Sequence, residues 1–203
     1  MNGPFATILS VAILSIVKSR GSKSDLGIRS FNGRLEASVN GYEGLMNLLH
    51  FAGDHNLRNI KSLDIENYEM EWLPNDIFLL ENLEELWIMG QPITELPDNI
   101  SDFIKLNGLY ATDAALEKIP DTLFDIKGLD FVKLAGNNIT KLPENTWKFQ
   151  GFDLVLFGNP IAYPSDVKIL EWDRKGFWQT EHVLRTKYTD PKAVRNDSEL
   201  RRF

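Results

Sequence analysis

The chain has 203 residues, 43% of them apolar and 25% charged, and a formal net charge of −7 at pH 7. That length buries a sizeable core, and the composition is that of an ordinary globular protein. Cysteine is absent, which excludes a disulfide framework, a thiolate metal site and a cysteine nucleophile.

The first feature along the chain is an apolar run at residues 5–17, FATILSVAILSIV. It is short for a membrane-spanning helix. No basic residue precedes it and no small-x-small site follows it, so it matches a signal peptide only in part. Phe5, Ile8, Leu9, Ala12, Ile13, Ile16 and Val17 recur at i, i+3 and i+4, as on one face of a helix. Two readings stand: a helix packed on the domain, or an export or anchoring segment.

Next, Asn32-Gly33 separates residues 28–31 from the alternating Leu35, Ala37 and Val39. This pattern predicts a hairpin with a type I′ turn. Tyr42, Leu45, Met46, Leu49 and Ala52 then predict an amphipathic helix, ended by Gly53.

From residue 60 the chain repeats. Leu73-Pro74, Leu96-Pro97, Ile119-Pro120 and Leu142-Pro143 are each 23 residues apart. Units begin at Ile60, Leu83, Leu106, Leu129 and Gly151, and the fourth is one residue short. The fourth positions are Leu63, Leu86, Leu109, Val132 and Leu154. The sixth are Ile65, Ile88, Ala111, Leu134 and Leu156. The eleventh are Met70, Ile93, Leu116, Ile139 and Ile161. Positions four and six alternate with polar neighbours, so they form the inward face of a short strand. The strands are expected to be centred near residues 63–65, 86–88, 109–111, 132–134 and 154–156. Stacking one strand per unit makes a parallel sheet on the inner side of an arc. The proline fixes φ as the chain turns across the outer side, and the aliphatic after it (Ile77, Ile100, Leu123) points back into the core. One unit cannot bury its own apolar columns, so stability comes from stacking and both ends need covers. Val167, Ile169, Leu170, Trp172, Phe177 and Trp178 read as a C-terminal plug, and residues 187–203 as a polar tail.

These columns resemble a leucine-rich repeat of the short type with an L-P-x-x-I segment, found in bacterial and plant intracellular proteins. The resemblance covers residues 60 to about 164, roughly half the chain. It implies an α/β fold: a leucine-rich-repeat solenoid of about five repeats, with its parallel sheet on the concave face and a cap at each end. The division is 1–59 for the N-terminal segment and cap, 60–164 for the repeats, and 165–203 for the C-terminal cap and tail. In this family the ninth position is usually asparagine. Asn137 and Asn159 match, whereas Tyr68, Gln91 and Ala114 depart. The implied asparagine ladder is therefore confined to the last two units. The resemblance also implies non-catalytic protein–protein recognition through the concave face.

Charge is segregated. Residues 60–164 hold 7 Lys, no Arg and 18 acids, a balance of −11, while each flank carries +2. This argues against nucleic acid as partner, since phosphate contacts need clustered Lys and Arg. It favours a protein partner with a basic surface. The alternative is that the acids only keep the solenoid soluble.

The third, fifth and seventh positions point outward from the inner sheet. The third column reads Ser62, Glu85, Gly108, Phe131, Asp153. The fifth reads Asp64, Trp87, Tyr110, Lys133, Val155, and the seventh reads Glu66, Met89, Thr112, Ala135, Phe157. Trp87 and Tyr110 are neighbours on adjacent strands, with Phe131 one column over. Exposed aromatics framed by acids have the composition of a protein-binding hot spot. The candidate binding residues are Asp64, Glu66, Glu85, Trp87, Met89, Tyr110, Phe131, Lys133 and Asp153. The competing reading is cross-strand packing that only stabilises the sheet.

Catalytic patterns are weak. His50, His55 and His182 lie outside the repeats, and His50 and His55 are five apart rather than the four that places two ligands on one helical face. No G-x-S-x-G nucleophile turn and no phosphate-binding G-x-x-x-x-G-K-[ST] loop occurs. No metal or cofactor is expected. An enzyme housed in the flanks would have only 59 and 39 residues to build on. A membrane-tethered or exported surface protein, with residues 5–17 as its anchor or leader, is the other alternative to a cytoplasmic binding module.

Overall fold

Four turns of the chain close identically. The amide N–H of Ile77, Ile100, Leu123 and Thr146 each donates to the carbonyl three residues back, that of Pro74, Pro97, Pro120 and Pro143, at 3.0–3.1 Å. Proline supplies an acceptor here and is asked for no donor. Each proline is followed by a short 3-10 helix: Asn75–Leu79, Ile100–Asp102, Asp121–Asp125 and Thr146–Lys148. Ile77, Ile100 and Leu123 point into the core as expected, fully buried. Thr146 takes the fourth place, its hydroxyl donating to the Pro143 carbonyl at 2.7 Å.

The structure is a computed structural model that describes residues 26–31, 33–54, 59–66 and 70–161. Its elements are β1 (Leu26–Phe31), β2 (Arg34–Asn40), α1 (Gly41–Asp54), β3 (Ile60–Glu66), β4 (Glu85–Trp87), β5 (Gly108–Tyr110), β6 (Phe131–Lys133) and β7 (Asp153–Val155). The repeat strands lie within a residue or two of their expected centres. All seven strands form one sheet in sequence order. From β2 to β7 every neighbouring pair is parallel, and only β1 runs antiparallel, against β2. The register carries Leu63, Leu86, Leu109, Val132 and Leu154 through one inward column. All five are fully buried.

The N-terminal hairpin forms, with Phe31 paired to Arg34 and Gly33 at φ +79; Asn32, on which the type of the turn also depends, lies outside the described residues. Such left-handed backbone is what a two-residue hairpin loop demands. Its second strand does more than cover an end. Ala37 pairs with Leu63 and Val39 with Ile65, so β2 continues the repeat sheet by one strand. Helix α1 departs from the sequence reading in two details. It runs through Gly53 to Asp54. Leu45, Leu48 and Leu49 are buried, while Tyr42 stays 45% exposed, its ring 6.0 Å from that of Trp72.

The turn ladder also corrects an expectation. Gln91 departs from asparagine, yet it is buried and does the same work: its side-chain amide donates to the Ile65 carbonyl at 2.9 Å and accepts from the Met70 N–H at 3.2 Å. Asn137 donates to the Ala111 carbonyl at 2.8 Å and accepts from Leu116 N–H at 3.0 Å. Asn159 does likewise with Leu134 and Ile139. A side-chain carboxamide is the requirement, and glutamine's extra methylene is accommodated. Only Ala114 among these four lacks one. Tyr68, the apolar run 5–17, the plug and tail at 165–203, His55 and His182 lie outside the described residues.

Candidate functional site

The outward columns follow the register. Glu36, Ser62, Glu85, Gly108, Phe131 and Asp153 form one row, and Ser38, Asp64, Trp87, Tyr110, Lys133 and Val155 the next. Trp87 and Tyr110 come together as expected, but not as two exposed rings. They stack, with centroids 3.7 Å apart and planes 7° from parallel, and both are partly buried. Each covers one face of the other, so ring area that the sequence assigns to solvent is spent on the stack.

Gly108 makes this possible. A Cβ on Gly108 would lie 2.7 Å from Tyr110 Cε2 and 3.0 Å from its hydroxyl. The phenol therefore leans back along its own strand, over a position that must stay empty. Trp87 leans the same way and donates its indole N–H to Glu85 Oε2 at 3.4 Å; Ser62 Oγ donates to the same oxygen at 3.3 Å. Burial is the main reason the Tyr110 hydroxyl has its pKa pushed up, with Glu85 adding to it. Tyr110 is a neutral phenol at physiological pH.

The four framing acids differ in a way the sequence does not show. Arg34 of β2 reaches Glu85 Oε1 at 2.8 Å and Glu84 at 3.2 Å, and Lys61 reaches Glu84 at 2.7 Å. Asp153 is paired with Lys133. Glu66 accepts a hydrogen bond from Ser38 Oγ at 2.7 Å. Asp64 has no hydrogen bond or ion pair among the described residues, and its pKa is raised, first by burial and then by Glu66. Thus two of the four acids are neutralised inside the molecule, and free negative charge concentrates at Asp64 and Glu66.

The remaining candidates spread across the face. Met89 is 46% exposed beside the stack. Phe131, on β6 and separated from the Trp87 strand by β5, packs at 6.0 Å on Phe152, which is itself exposed. Sequence reasoning missed Arg34, Glu36 and Ser38, because a hairpin read as a cap was not counted as part of the face. A trace was present: Ala37 and Val39 are two apart, as the fourth and sixth positions of each repeat are. A shallow groove of about 450 Å³ opens between this hairpin and Trp87. Its floor and walls include Ser38, Ser62, Asp64, Glu85 and Trp87. Among the described residues no group of three His, Asp or Glu is placed to hold a metal ion, and no helix is long and apolar enough to cross a membrane.

No family model and no curated protein matches the sequence. Among solved structures, a leucine-rich-repeat protein of Leptospira interrogans is similar with a TM-score of 0.54 at 19% identity, over 68% of this chain and 34% of that one. The chain thus spans about a third of the length of this neighbour. A chain of the BIR3–SERK2 complex from Arabidopsis thaliana is similar with a TM-score of 0.45 at 22% identity, over 70% of this chain and 80% of that one. Together with the repeat register and the proline-closed turns, the first likeness shows the fold: this is a leucine-rich-repeat solenoid.

Proposed function

We propose that the chain is a non-catalytic recognition module whose concave sheet face binds a protein partner. Residues 60–164 are the recognition unit, and the hairpin at 26–40 builds its N-terminal edge. The observation that carries this reading is the Trp87–Tyr110 stack. It sits on outward positions, is held by Gly108 and Glu85, and is not needed to fill the core behind it. Rigid aromatic anchors lose little side-chain freedom on docking and dominate interface energetics. The residual charge at Asp64 and Glu66 gives the face a preference for a basic partner and makes association salt-dependent.

The test uses the full chain as bait, followed by purification of the captured protein and titration against variants. Trp87→Ala should weaken binding about 30-fold, the equivalent of about 2 kcal/mol at a hot spot. Its stability should fall by only about 1 kcal/mol or less, the worth of a cross-strand aromatic pair. Glu117→Ala, exposed and away from the sheet face, should change neither quantity. If Trp87→Ala binds as the wild type does, the stack is structural and the partner docks elsewhere.

A further inference from the structure

We propose that the groove beside Trp87 receives an arginine side chain of the partner, stacked on the indole and paired with Asp64. This rests on the concave-face reading above and narrows it to one recognised group.

The two faces of the indole are not equivalent. Tyr110, on β5, lies parallel to Trp87 at 3.7 Å and covers one face. Strand β3 flanks β4 on the other side, and there the groove opens. Trp87 lines it and Tyr110 does not, so the uncovered indole face forms one wall. Ser62 and Asp64 of β3 supply the floor, and the hairpin supplies the opposite wall.

The charges of the groove are unbalanced. Its lining holds three carboxylates, Glu36, Asp64 and Glu85, against one guanidinium, that of Arg29. Arg29 is occupied with Glu36 at 2.7 Å, and Glu85 is held from outside the groove by Arg34 at 2.8 Å. Asp64 is left without a hydrogen bond or ion pair among the described residues, next to Trp87 in the register. Burial and the neighbouring Glu66 raise its pKa, against a smaller opposing effect of Arg29. An apolar ligand closing this groove would strand the carboxylate away from water. A cation compensates it.

Arginine fits better than lysine for geometric reasons. Its guanidinium is planar, so it can lie on the indole while its edge forks toward a carboxylate, and it sheds water more readily than an ammonium. The groove, about 450 Å³, stands at the small end of ligand-sized clefts, roughly 300–1,000 Å³. It suits one long side chain rather than a folded surface.

The experiment uses the isotopically labelled full chain and a blocked pentapeptide, Ser-Gly-Arg-Gly-Ser, beside its lysine and citrulline counterparts. The reporter is the Trp87 indole N–H resonance, identified by its loss in Trp87→Phe. The arginine peptide should shift this resonance saturably, and the uncharged citrulline peptide should bind about tenfold more weakly, the usual advantage of a charge-assisted pair. Asp64→Asn should lower arginine affinity to the citrulline level. An unsaturable response, equal affinity for arginine and citrulline, tighter binding of lysine, or wild-type affinity in Asp64→Asn each overturns the inference. The purified partner separates the two levels of the argument. If it is lost by Trp87→Ala but kept by Asp64→Asn, the arginine assignment fails and the concave face stands. If both variants keep it, both fail.

Discussion

The two faces of the repeat strands obey different rules. Inward, Leu63, Leu86, Leu109, Val132 and Leu154 are close copies, every one fully buried. Outward, one residue away, Ser62, Glu85, Gly108, Phe131 and Asp153 range from a bare glycine to an aromatic ring and from neutral to acidic. Stacking explains the contrast. Each inward side chain fills equivalent space between two copies of the same unit, so these positions are held to apolar side chains, mostly of one size, with Ala111 the small member of the sixth column. An outward side chain meets only its row neighbours and solvent, so the face can vary by position and carry specificity.

Substitutions on either side of the sheet can break this division. The largest effect is expected inward: Leu109→Ala should lose about 2–5 kcal/mol, as truncations of buried leucine do. Chemical denaturation would measure it. A loss below about 1 kcal/mol would mean that the site collapses around the smaller side chain and that the inward column does not carry the stability assigned to it.

A second test concerns the turns between the strands. Gln91→Ala would leave the Met70 N–H and the Ile65 carbonyl without the partner they have now. The cost should be about 1–3 kcal/mol, the penalty for an unsatisfied buried group. Gln91→Asn should recover part of it if the carboxamide is what the turn requires. Equal denaturation midpoints for Gln91→Ala and wild type would show that water replaces the amide.

The smallest effect has the opposite sign and lies outward. Folding raises the pKa of Asp64 above its ordinary 3.8, so the folded state holds that proton more tightly than the unfolded chain. The charged carboxylate therefore costs stability above the raised pKa, and the cost is absent below 3.8, where both states are protonated. Asp64→Asn should melt slightly above the wild type near neutral pH, and the two melting temperatures should converge as pH falls through that window. A residue that costs stability while facing a groove is what a binding role leaves behind in the unbound protein. A lower melting temperature for Asp64→Asn at neutral pH would instead make this carboxylate structural.

The sequence by itself determined the solenoid. A spacing of 23 residues between proline-marked turns, with aliphatics in the same columns, specifies one strand per unit and which side of it is buried. That information is local and repeated, so it survives being read along a line. The hairpin and α1 were legible for the same reason, through a turn dipeptide and an apolar period. What only the tertiary structure decided is how the residues of the candidate site meet. Arg34 and Glu85 lie on strands separated in sequence by the whole of α1 and β3, and nothing in either segment announces the pair. Gln91 looked like a departure because its role depends on how far an amide can reach, not on its name. Trp87 and Tyr110 were visible as neighbours, but their stacking turns on the empty space above Gly108. Asp64 stood out from Glu85 and Asp153 only when each acid could be matched to the base that neutralises it or lacks one. Periodicity is a property of the chain; compensation between side chains from different elements is a property of the packed molecule.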